Sequence, residues 1–502
     1  MKTPIYDFVT AYRDLRPARF HMPGHKGRGP LGCEELDLTE IPGADSLYEA
    51  DGIIAQSEAN ASSLFGCPTF YSTEGSSHCI RAMLYLAKAF SLGGRRHPAS
   101  PASQMPDEGG SDARFRVLAA RNVHKAFLTA AALLDLDVMW LSPAGGSYLS
   151  AQPSPEDLDA ALADTGARAV YLSCPDYLGF LPDLRPLARV CHAHGALLLV
   201  DNAHGAYLRF LSPSRHPMDL GADLCCDSAH KTLPVLTGGA YLHVADRMQN
   251  AKCNMQNKTE GTEEKRILRF AQNDGGVEMC RTVRDALALF GSTSPSYLIL
   301  QSLDLANPYL EQLPERLAAF LPKVEALKSR LRAAGWTPVG DEPLKLTLSL
   351  RAVGAAIGRQ PEAEACPNGL ALAAALEQQG IFCEFADPDY IVFMLSPQNT
   401  DEELARLEAA LIKQEHFPPE AGGQRPLLRE LPEAACSIRA AMLAPAETLP
   451  AADSLGRVLA RPGVSCPPAV PILMPGERID EAAVAAFARY GIKSVAVLSA
   501  VV

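Results

Sequence analysis

The sequence lacks the features of a membrane-embedded, nucleic-acid-binding or disulfide-rich protein. No apolar run reaches the roughly 20 residues of a membrane span, and the N-terminal "MKTPIYDFVTAYRDLRP" has no signal-peptide core. No basic run stands out, and the formal net charge of −12 argues against a nucleic acid as partner. The 13 cysteines are scattered and none forms C-x-x-C, so we expect reduced thiols, no metal site and a cytoplasmic location.

The first half of the chain indicates a doubly wound α/β sheet. Short, nearly continuous apolar runs alternate with helical patterns, as expected of parallel strands that helices cover on both faces. The runs are "FRVLAA" (115–120), "ARAVYLS" (167–173), "ALLLV" (196–200) and "ADLCC" (222–226). The predicted fold class is therefore α/β, with a mostly parallel sheet in the larger domain.

The length and the patterns divide the chain into four parts, since 502 residues are too many for one core. We predict an N-terminal arm (1–60), a major domain (61–307), a smaller α/β domain (308–414) and a C-terminal α+β segment (427–502). Two polar stretches, about 94–113 and 251–279, are predicted to be insertions in the major domain. A short helix inside "EEKRILRF" is an alternative for part of the second stretch.

Each of the four apolar runs is followed at once by polar residues. These clusters are "RNVHK", "CPDY", "DNAH" and "DSAHK". In open α/β sheets, ligands bind beyond the carboxyl ends of the strands. The four clusters therefore predict one shared site.

Two of the candidate groups have a functional and a structural interpretation. Gly75, Ser76 and Ser77 open an amphipathic helix, where amides, hydroxyls and the helix dipole favour a phosphate. Serine is also an ordinary helix cap. His124 follows a strand, where its ring can stack on another flat ring or can be a structural histidine.

The lysine in "CDSAHKTLPVLTGG" is the most specific signal. Lys231 ends the cluster after the fourth run, and lysine forms Schiff bases with carbonyl cofactors. Asp201, with His204 three residues on, ends a buried strand and can hold a protonated heteroaromatic nitrogen or cap a helix. A phosphate cradle, a stacking ring, such a carboxylate and a Schiff-base lysine together describe one cofactor, pyridoxal phosphate.

With these motifs the chain resembles the ornithine/lysine/arginine decarboxylases, which are fold-type-I pyridoxal-phosphate enzymes. The likeness runs from "RFHMPGHKGRG" (19–29) through "RNVHK", "DNAHGA", "DSAHKTLPVLTGG" and "GSTSPSYLILQSLD" to "CPPAVPILMPGE". It covers almost the whole chain apart from the two insertions. The chain has "PDYLG" (175–179) and "DNAHGAY" (201–207) where relatives usually have P-T-Y-x-G and DEAHGAH, which weakens any transfer of substrate specificity.

The resemblance implies a role for each matching residue. Lys231 would form the Schiff base, Asp201 would pair with the pyridine nitrogen, His124 would stack on the ring, and His204 would lie near the ring hydroxyl and the imine. The residues implied for the phosphate are Gly75, Ser76, Ser77, Ser228 and His230, together with Ser292 and Thr293 reaching a neighbouring subunit's phosphate. Glu384 and Asp387 in "GIFCEFADPDY" are acidic candidates for a cationic substrate, although solvated surface acids would look the same.

The activity that the resemblance implies is decarboxylation of a basic amino acid, arginine or lysine before ornithine, in polyamine synthesis. Large inducible members carry an N-terminal wing domain that builds decamers. Because the chemistry motifs begin near residue 19, we expect instead a compact homodimer or tetramer. Two alternatives stay open: an aminotransferase or carbon–carbon lyase of the same fold, and a catalytically silent regulatory relative.

Overall fold

The computed structural model describes residues 1–93, 114–142, 147–251, 274–350, 369–414, 431–463 and 468–499. The first predicted insertion, 94–113, and the segment "EEKRILRF", for which a short helix was the alternative, lie outside these residues. Of the second insertion, residues 251 and 274–279 are described, and residues 274–279 form the start of a helix that continues to Ala288.

A seven-stranded sheet forms the centre of the major domain. Its strands are β1 (Thr69–Ser72), β2 (Arg116–Ala119), β3 (Asp137–Trp140), β4 (Ala169–Ser173), β5 (Leu197–Asp201), β6 (Leu224–Asp227) and β7 (Ala240–Val244). They lie in the order β1-β7-β6-β5-β4-β2-β3. Strands β2 to β6 pair in parallel, whereas β7 is antiparallel to both β1 and β6. The four predicted strands are thus confirmed as parallel neighbours, while β1, β3 and β7 were not predicted.

Helices cover both faces of this sheet. They are α2 (Ile53–Phe65), α3 (Gly75–Gly93), α4 (Lys125–Leu134), α5 (Pro155–Thr165), α6 (Leu184–Ala193), α7 (Pro217–Leu220), α8 (Ala229–Thr232) and α9 (Asp274–Ala288). In β4, Val170 and Leu172 pack with α5 and α6, whereas Ala169 and Tyr171 pack with α3 and α4. A large apolar side chain buried in this way contributes about 1.5–3 kcal/mol, which explains the continuous apolar runs.

The smaller domain contains a four-stranded antiparallel sheet. Its strands are β8 (Thr337–Val339), β9 (Lys345–Ser349), β10 (Phe385–Ala386) and β11 (Tyr390–Met394), in the order β10-β11-β9-β8. The helices beside it are α10 (Tyr297–Ala333), α11 (Gly369–Glu377) and α12 (Asp401–Lys413). Helix α10 has 37 residues, so the boundary predicted at 307/308 falls inside a continuous helix. The two domains therefore share one long packing element, whose apolar side chains join a single core cluster.

The C-terminal segment and the N-terminal helix pack on this body. The elements are α1 (Pro4–Asp14), α13 (Ile438–Leu443), β12 (Ala446–Pro450), α14 (Glu481–Arg489) and β13 (Ser494–Leu498). Arg121, just after β2, makes a buried two-pronged ion pair with Glu477 at 2.6 and 2.9 Å. In the part of the chain that the structure describes, no helix combines the length and the apolar character needed to cross a membrane.

Candidate active site

The carboxyl ends of the parallel strands form the floor of one cavity. Ser173 at the end of β4 is in register with Asp201 at the end of β5, which is in register with Cys226 of β6. The polar side chains that line the cavity are Ser76, Asn122, His124, Ser173, Tyr177, Asp201, His204 and Lys231. The structure therefore brings together the four residues that the sequence predicts as catalytic: Lys231, Asp201, His204 and His124.

Lys231 lies on the short helix α8 and contacts the imidazole of His204. The distance from Lys231 Nζ to His204 Nε2 is 2.9 Å, and the other ring nitrogen, Nδ1, lies 2.9 Å from Lys345 Nζ. Burial lowers the pKa of His204 well below its ordinary value, and the two lysines lower it further. His204 is therefore a neutral ring held between two amines.

Asp201 is a buried carboxylate at the end of β5. Its Oδ2 accepts a hydrogen bond from Tyr171 Oη at 3.1 Å, and its Oδ1 accepts one from the Ala203 amide at 3.2 Å. Burial raises the pKa of Asp201, while the nearby charge of Lys231 opposes the rise. A carboxylate in this position is suited to pair with a cation that enters the cavity.

His124 combines both interpretations that the sequence left open. Its Nδ1 accepts a hydrogen bond from the Ala126 amide at 3.1 Å and so caps helix α4. The ring also lines the cavity. Burial lowers its pKa to about 4, with help from Lys231 and Lys125, so the ring is neutral at physiological pH. A neutral, fixed ring can stack on a flat ligand.

The hydroxyls predicted to hold phosphate are divided between two elements. Ser76, in the first turn of α3, lines the cavity and accepts a hydrogen bond from Ser228 Oγ at 2.7 Å. His230 lies beside them, and its Nδ1 is 3.0 Å from the Gly239 carbonyl. Burial lowers the pKa of His230. Ser77 is half-buried on the same helix start. Ser76 and Ser228 are thus the hydroxyls best placed for an anion in the cavity.

Three residues predicted to contact phosphate occupy other positions. The Gly75 amide donates to the Gly238 carbonyl at 2.7 Å, so this amide is used inside the protein, and a contact of Gly75 with phosphate stays a prediction. Ser292 and Thr293 are exposed, and the Ser292 amide donates to Glu74 Oε1 at 2.6 Å. They lie close to the start of α3, outside the cavity lining of this chain. Their predicted contact with a neighbouring subunit stays a prediction.

The two acids predicted to bind a cationic substrate have different positions. Glu384 Oε1 accepts a hydrogen bond from Tyr177 Oη at 3.0 Å, and the Tyr177 ring lies 5.2 Å from the His204 ring. Asp387 Oδ1 instead accepts two backbone amides, from Asp389 and Tyr390, both at 2.7 Å. Asp387 therefore organises the turn between β10 and β11, and its predicted contact with a cationic substrate stays a prediction.

Several residues of the site were not among those predicted from the sequence. Lys345 comes from the small domain, and its signal is a charged residue at the start of the apolar strand β9. Asn122 stands in the motif "RNVHK" without having been singled out. Pro468 and Val470, from the motif near the C-terminus, close one wall of the cavity. The neighbouring Ala469 carbonyl accepts the Lys125 amide at 2.8 Å, which holds this wall against helix α4.

The donor set of the cavity fits pyridoxal phosphate. Asn122 is 4% exposed, and within the described ranges neither polar atom of its side chain has a hydrogen-bond partner. Such orphaned groups are rare in folded proteins and indicate a polar ligand or water at that point. The same cavity offers an amine for an aldehyde, a carboxylate for a ring nitrogen and hydroxyls for a phosphate. These are the chemical groups that the cofactor requires.

Comparisons with known proteins agree with this geometry. The model of the Orn/Lys/Arg decarboxylase major domain matches residues 111–334. An arginine decarboxylase of Bacillus subtilis is 27% identical, over 96% of this chain and 92% of that protein. One of Halalkalibacterium halodurans is 26% identical, over 96% and 91%. The solved lysine decarboxylase A of Pseudomonas aeruginosa is 17% identical, with a TM-score of 0.71 over 97% of this chain and 76% of that one.

The matches extend over nearly the full length of both curated relatives. The family model spans the part of the chain that carries His124, Asp201, His204 and Lys231. The solved structure adds that the two chains share a fold. The chain is thus similar to the Orn/Lys/Arg decarboxylases over nearly its whole length, and these findings support a decarboxylase.

Proposed function

We propose that the protein is a pyridoxal-phosphate-dependent decarboxylase of arginine or lysine, with ornithine as the third candidate. The observation that carries this proposal is that Lys231, Asp201, His204 and His124 line one cavity. The names of the two curated relatives favour arginine. The match of residues 111–334 to the Orn/Lys/Arg decarboxylase major domain supports a basic amino acid as the substrate class.

Each residue of the cavity has a task that follows from its chemistry. Lys231 Nζ would hold the aldehyde, Asp201 the ring nitrogen, and Ser76 and Ser228 the phosphate, while the neutral ring of His124 would lie on the face of the cofactor ring. When bound, the cofactor supplies a conjugated cation that accepts the electron pair of the breaking bond. The protein supplies position and charge.

Asp201 and His204 control protons at the two ends of this arrangement. Tyr171 Oη and the Ala203 amide hold the Asp201 carboxylate, so it can keep a proton on the ring nitrogen facing it. His204 touches Lys231 Nζ at 2.9 Å and can give or take a proton at that amine. Pro468 and Val470 form an apolar part of the wall and keep water away from the amine.

Glu384 is the acid that we propose for the cationic end of the substrate. It is hydrogen-bonded to Tyr177, whose ring lines the cavity and packs against His204. Replacement of Glu384 by Gln removes the negative charge that would attract the basic substrate. We expect KM to rise about tenfold or more, which corresponds to a loss of about 1.4 kcal/mol of attraction. The turnover number should change less. Asp387→Asn is the comparison variant, and it should lower stability instead.

Carbon dioxide release from arginine, lysine and ornithine, each with added pyridoxal phosphate, tests the proposal. We expect release from one of the three amino acids. This release should be lost in Lys231→Ala and kept in Lys328→Met, the control at another buried lysine. Formation of a keto acid instead would indicate an aminotransferase. Absence of any product, with pyridoxal phosphate still bound, would favour a catalytically silent relative. Both outcomes would overturn the proposed reaction.

We also propose that two copies of the chain share the site. Ser292 and Thr293 are exposed on a segment next to the start of α3, where they are accessible to a second chain. Light scattering should give a mass of at least two chains. A Thr293→Arg variant should weaken both the assembly and the affinity for pyridoxal phosphate, whereas a fully active monomer would contradict this assignment.

A further inference from the structure

A second lysine lies at the centre of the site but belongs to the other domain. Lys345 begins strand β9 and is only 2% exposed. Its Nζ lies 2.9 Å from His204 Nδ1, 3.3 Å from the Asp176 carbonyl and 3.4 Å from the Tyr177 carbonyl. Gly179 leaves room for it, since a Cβ there would lie 3.1 Å from Lys345 Cδ. The contacts of this buried amine fix its direction toward the imidazole.

The surroundings of Lys345 match an ammonium ion. An ammonium group donates three hydrogen bonds, and the two carbonyls and the imidazole nitrogen provide three acceptors. The Glu342 carboxylate lies 3.8 Å from Lys345 Nζ, which adds a negative charge. Burial lowers the pKa of Lys345, and the acids Glu342 and Asp176 oppose this shift.

The hydrogen bond at one ring nitrogen of His204 determines whether the other nitrogen carries the proton. A neutral imidazole has one N–H and one acceptor nitrogen, and the partner of the first sets the tautomer. When the Lys345 ammonium donates to His204 Nδ1, the ring proton resides on Nε2. This N–H then points at Lys231 Nζ, 2.9 Å away, which must accept it with its lone pair.

We propose that Lys345 is a positioning residue that keeps the positive charge of the chain Lys231–His204–Lys345 at its own end, so that Lys231 is left as a neutral amine. The balance is simple. A proton leaves Lys231 Nζ for His204 Nε2, and the proton on His204 Nδ1 passes to Lys345 Nζ. No other reactant is needed. The inference rests on the proposed function, because only a neutral amine attacks an aldehyde.

The remaining titratable groups are distributed unequally between the Lys345 end and the Lys231 end of the hydrogen-bonded series Lys231–His204–Lys345. The acids Glu342, Asp176 and Glu384 act on Lys345, and Tyr207 is hydrogen-bonded to Glu342. On the Lys231 side the groups that act on the chain are Asp201, His124 and His230. The Asp201 carboxylate lies on the Lys231 side, and a cation paired with it would neutralise its charge. More negative charge therefore faces Lys345.

The first test measures the amine of Lys231 in the protein without added cofactor or substrate. Trace labelling with acetic anhydride across a pH series, read by peptide mass spectrometry, gives the midpoint at which Lys231 becomes reactive. Lys345→Met is expected to move this midpoint up by about one pH unit, which is a tenfold loss of reactive amine at neutral pH. Lys345→Arg keeps the charge and should restore the wild-type midpoint.

Two further variants separate the hydrogen-bonded chain from a general loss of charge. Lys328 is the matched control, because it is also a buried lysine and its Nζ lies 3.4 Å from the Glu342 carbonyl. Lys328→Met should leave the midpoint unchanged. His204→Phe should raise it as Lys345→Met does, and the double variant should not add a second rise. Superimposable curves for wild type and Lys345→Met would overturn the proposal.

The second test needs no change at Lys345 and so does not depend on how that variant folds. Nitrogen-15 shifts of labelled histidine in the wild-type protein, with His204 assigned by its loss in His204→Phe, report the tautomer directly. We expect the proton on Nε2. A proton on Nδ1 would contradict the inference. Because neither test uses turnover, failure of the proposed decarboxylase activity would leave both results interpretable.

Discussion

Two buried aspartates end neighbouring strands and have opposite surroundings. Asp227 ends β6, and its Oδ2 is 3.1 Å from His216 Nε2 and 3.0 Å from His243 Nε2. Its Oδ1 accepts the Asn202 side-chain amide at 2.6 Å. Asp201 ends β5, and its carboxylate accepts hydrogen bonds from Tyr171 Oη and the Ala203 amide, with the Cys226 thiol 3.9 Å from Oδ1. The first carboxylate is saturated by the protein, whereas the second faces the cavity.

The pKa values of these two acids move in opposite directions. Burial alone would raise the pKa of Asp227, but the two histidines beside it lower that pKa far below its ordinary value. Burial raises the pKa of Asp201, and Lys231 would offset this rise only in part, and only in its charged form. The contrast teaches that a buried acid surrounded by its own donors stabilises the fold, whereas one kept short of donors is available for a ligand.

The largest expected effect is on turnover in Asp201→Asn. Loss of this charge should reduce kcat on the order of a hundred- to a thousandfold, as removal of one positioned electrostatic group does in other enzymes. The free energy of unfolding of the cofactor-free protein should not fall, because the wild-type charge is costly to bury. Steady-state kinetics and urea denaturation measure the two quantities. A lower free energy of unfolding in Asp201→Asn would instead make Asp201 a carboxylate that stabilises the fold, as Asp227 does.

The reverse pattern is expected for Asp227→Asn. This variant leaves two buried histidines facing a neutral amide, so the free energy of unfolding should fall by about 3 kcal/mol. The chemical groups that line the cavity are unchanged, so the protein that remains folded at low temperature should still bind pyridoxal phosphate. Urea denaturation with Asp201→Asn as the control checks this. An unchanged urea midpoint would contradict the structural role of Asp227 and its two histidine partners.

The pH dependence of stability should distinguish the same two acids. A lowered folded-state pKa means that Asp227 stabilises above the unfolded carboxyl pKa of about 4 and loses this contribution as pH falls below it. A raised folded-state pKa means that Asp201 begins to cost stability as pH rises above the unfolded carboxyl pKa of about 4, and the full cost is present above its folded-state value. At pH 8 the free energy of unfolding of the wild type should thus be higher than that of Asp227→Asn. It should be lower than that of Asp201→Asn. On acidification the Asp201 difference should vanish first, and the opposite order would contradict the assignment.

A smaller effect is expected for Asn122→Ala. The side chain lines the cavity, and among the described residues its two polar atoms lack hydrogen-bond partners. Loss of one hydrogen bond to a ligand costs about 1–1.5 kcal/mol, so the affinity for pyridoxal phosphate should fall about tenfold. Stability without the cofactor should rise slightly or stay the same. Equilibrium titration of the cofactor measures the first quantity, and a stability loss with unchanged affinity would make Asn122 a structural residue.

The sequence predicted best what depends on local pattern and strand direction. Parallel strands end at one edge, so polar residues after β2, β4, β5 and β6 had to meet, and His124, Asp201 and Lys231 do so. Lys345 could not be placed, because its position depends on how the small domain packs on the major one. The wall formed by Pro468 and Val470 has the same origin in long-range packing.

Residue type alone also could not separate binding from support. Glu384 and Asp387 are three positions apart and equally acidic, yet one is bonded to a tyrosine of the cavity wall and the other holds a turn. Gly75 was assigned to the ligand because it opens a helix, but the Gly238 carbonyl takes its amide. Both outcomes depend on which backbone group lies opposite, and a single sequence does not contain that information.

The most direct test of the account is the position at which pyridoxal phosphate attaches. The protein is incubated with the cofactor, the bond between aldehyde and amine is fixed by borohydride reduction, and tryptic peptides are analysed by mass spectrometry. The account predicts one pyridoxyl group per chain, on Lys231, and none on Lys231→Ala at the same cofactor concentration. Attachment to Lys345 or scattered labelling of surface lysines, with Lys231 unmodified, would contradict it.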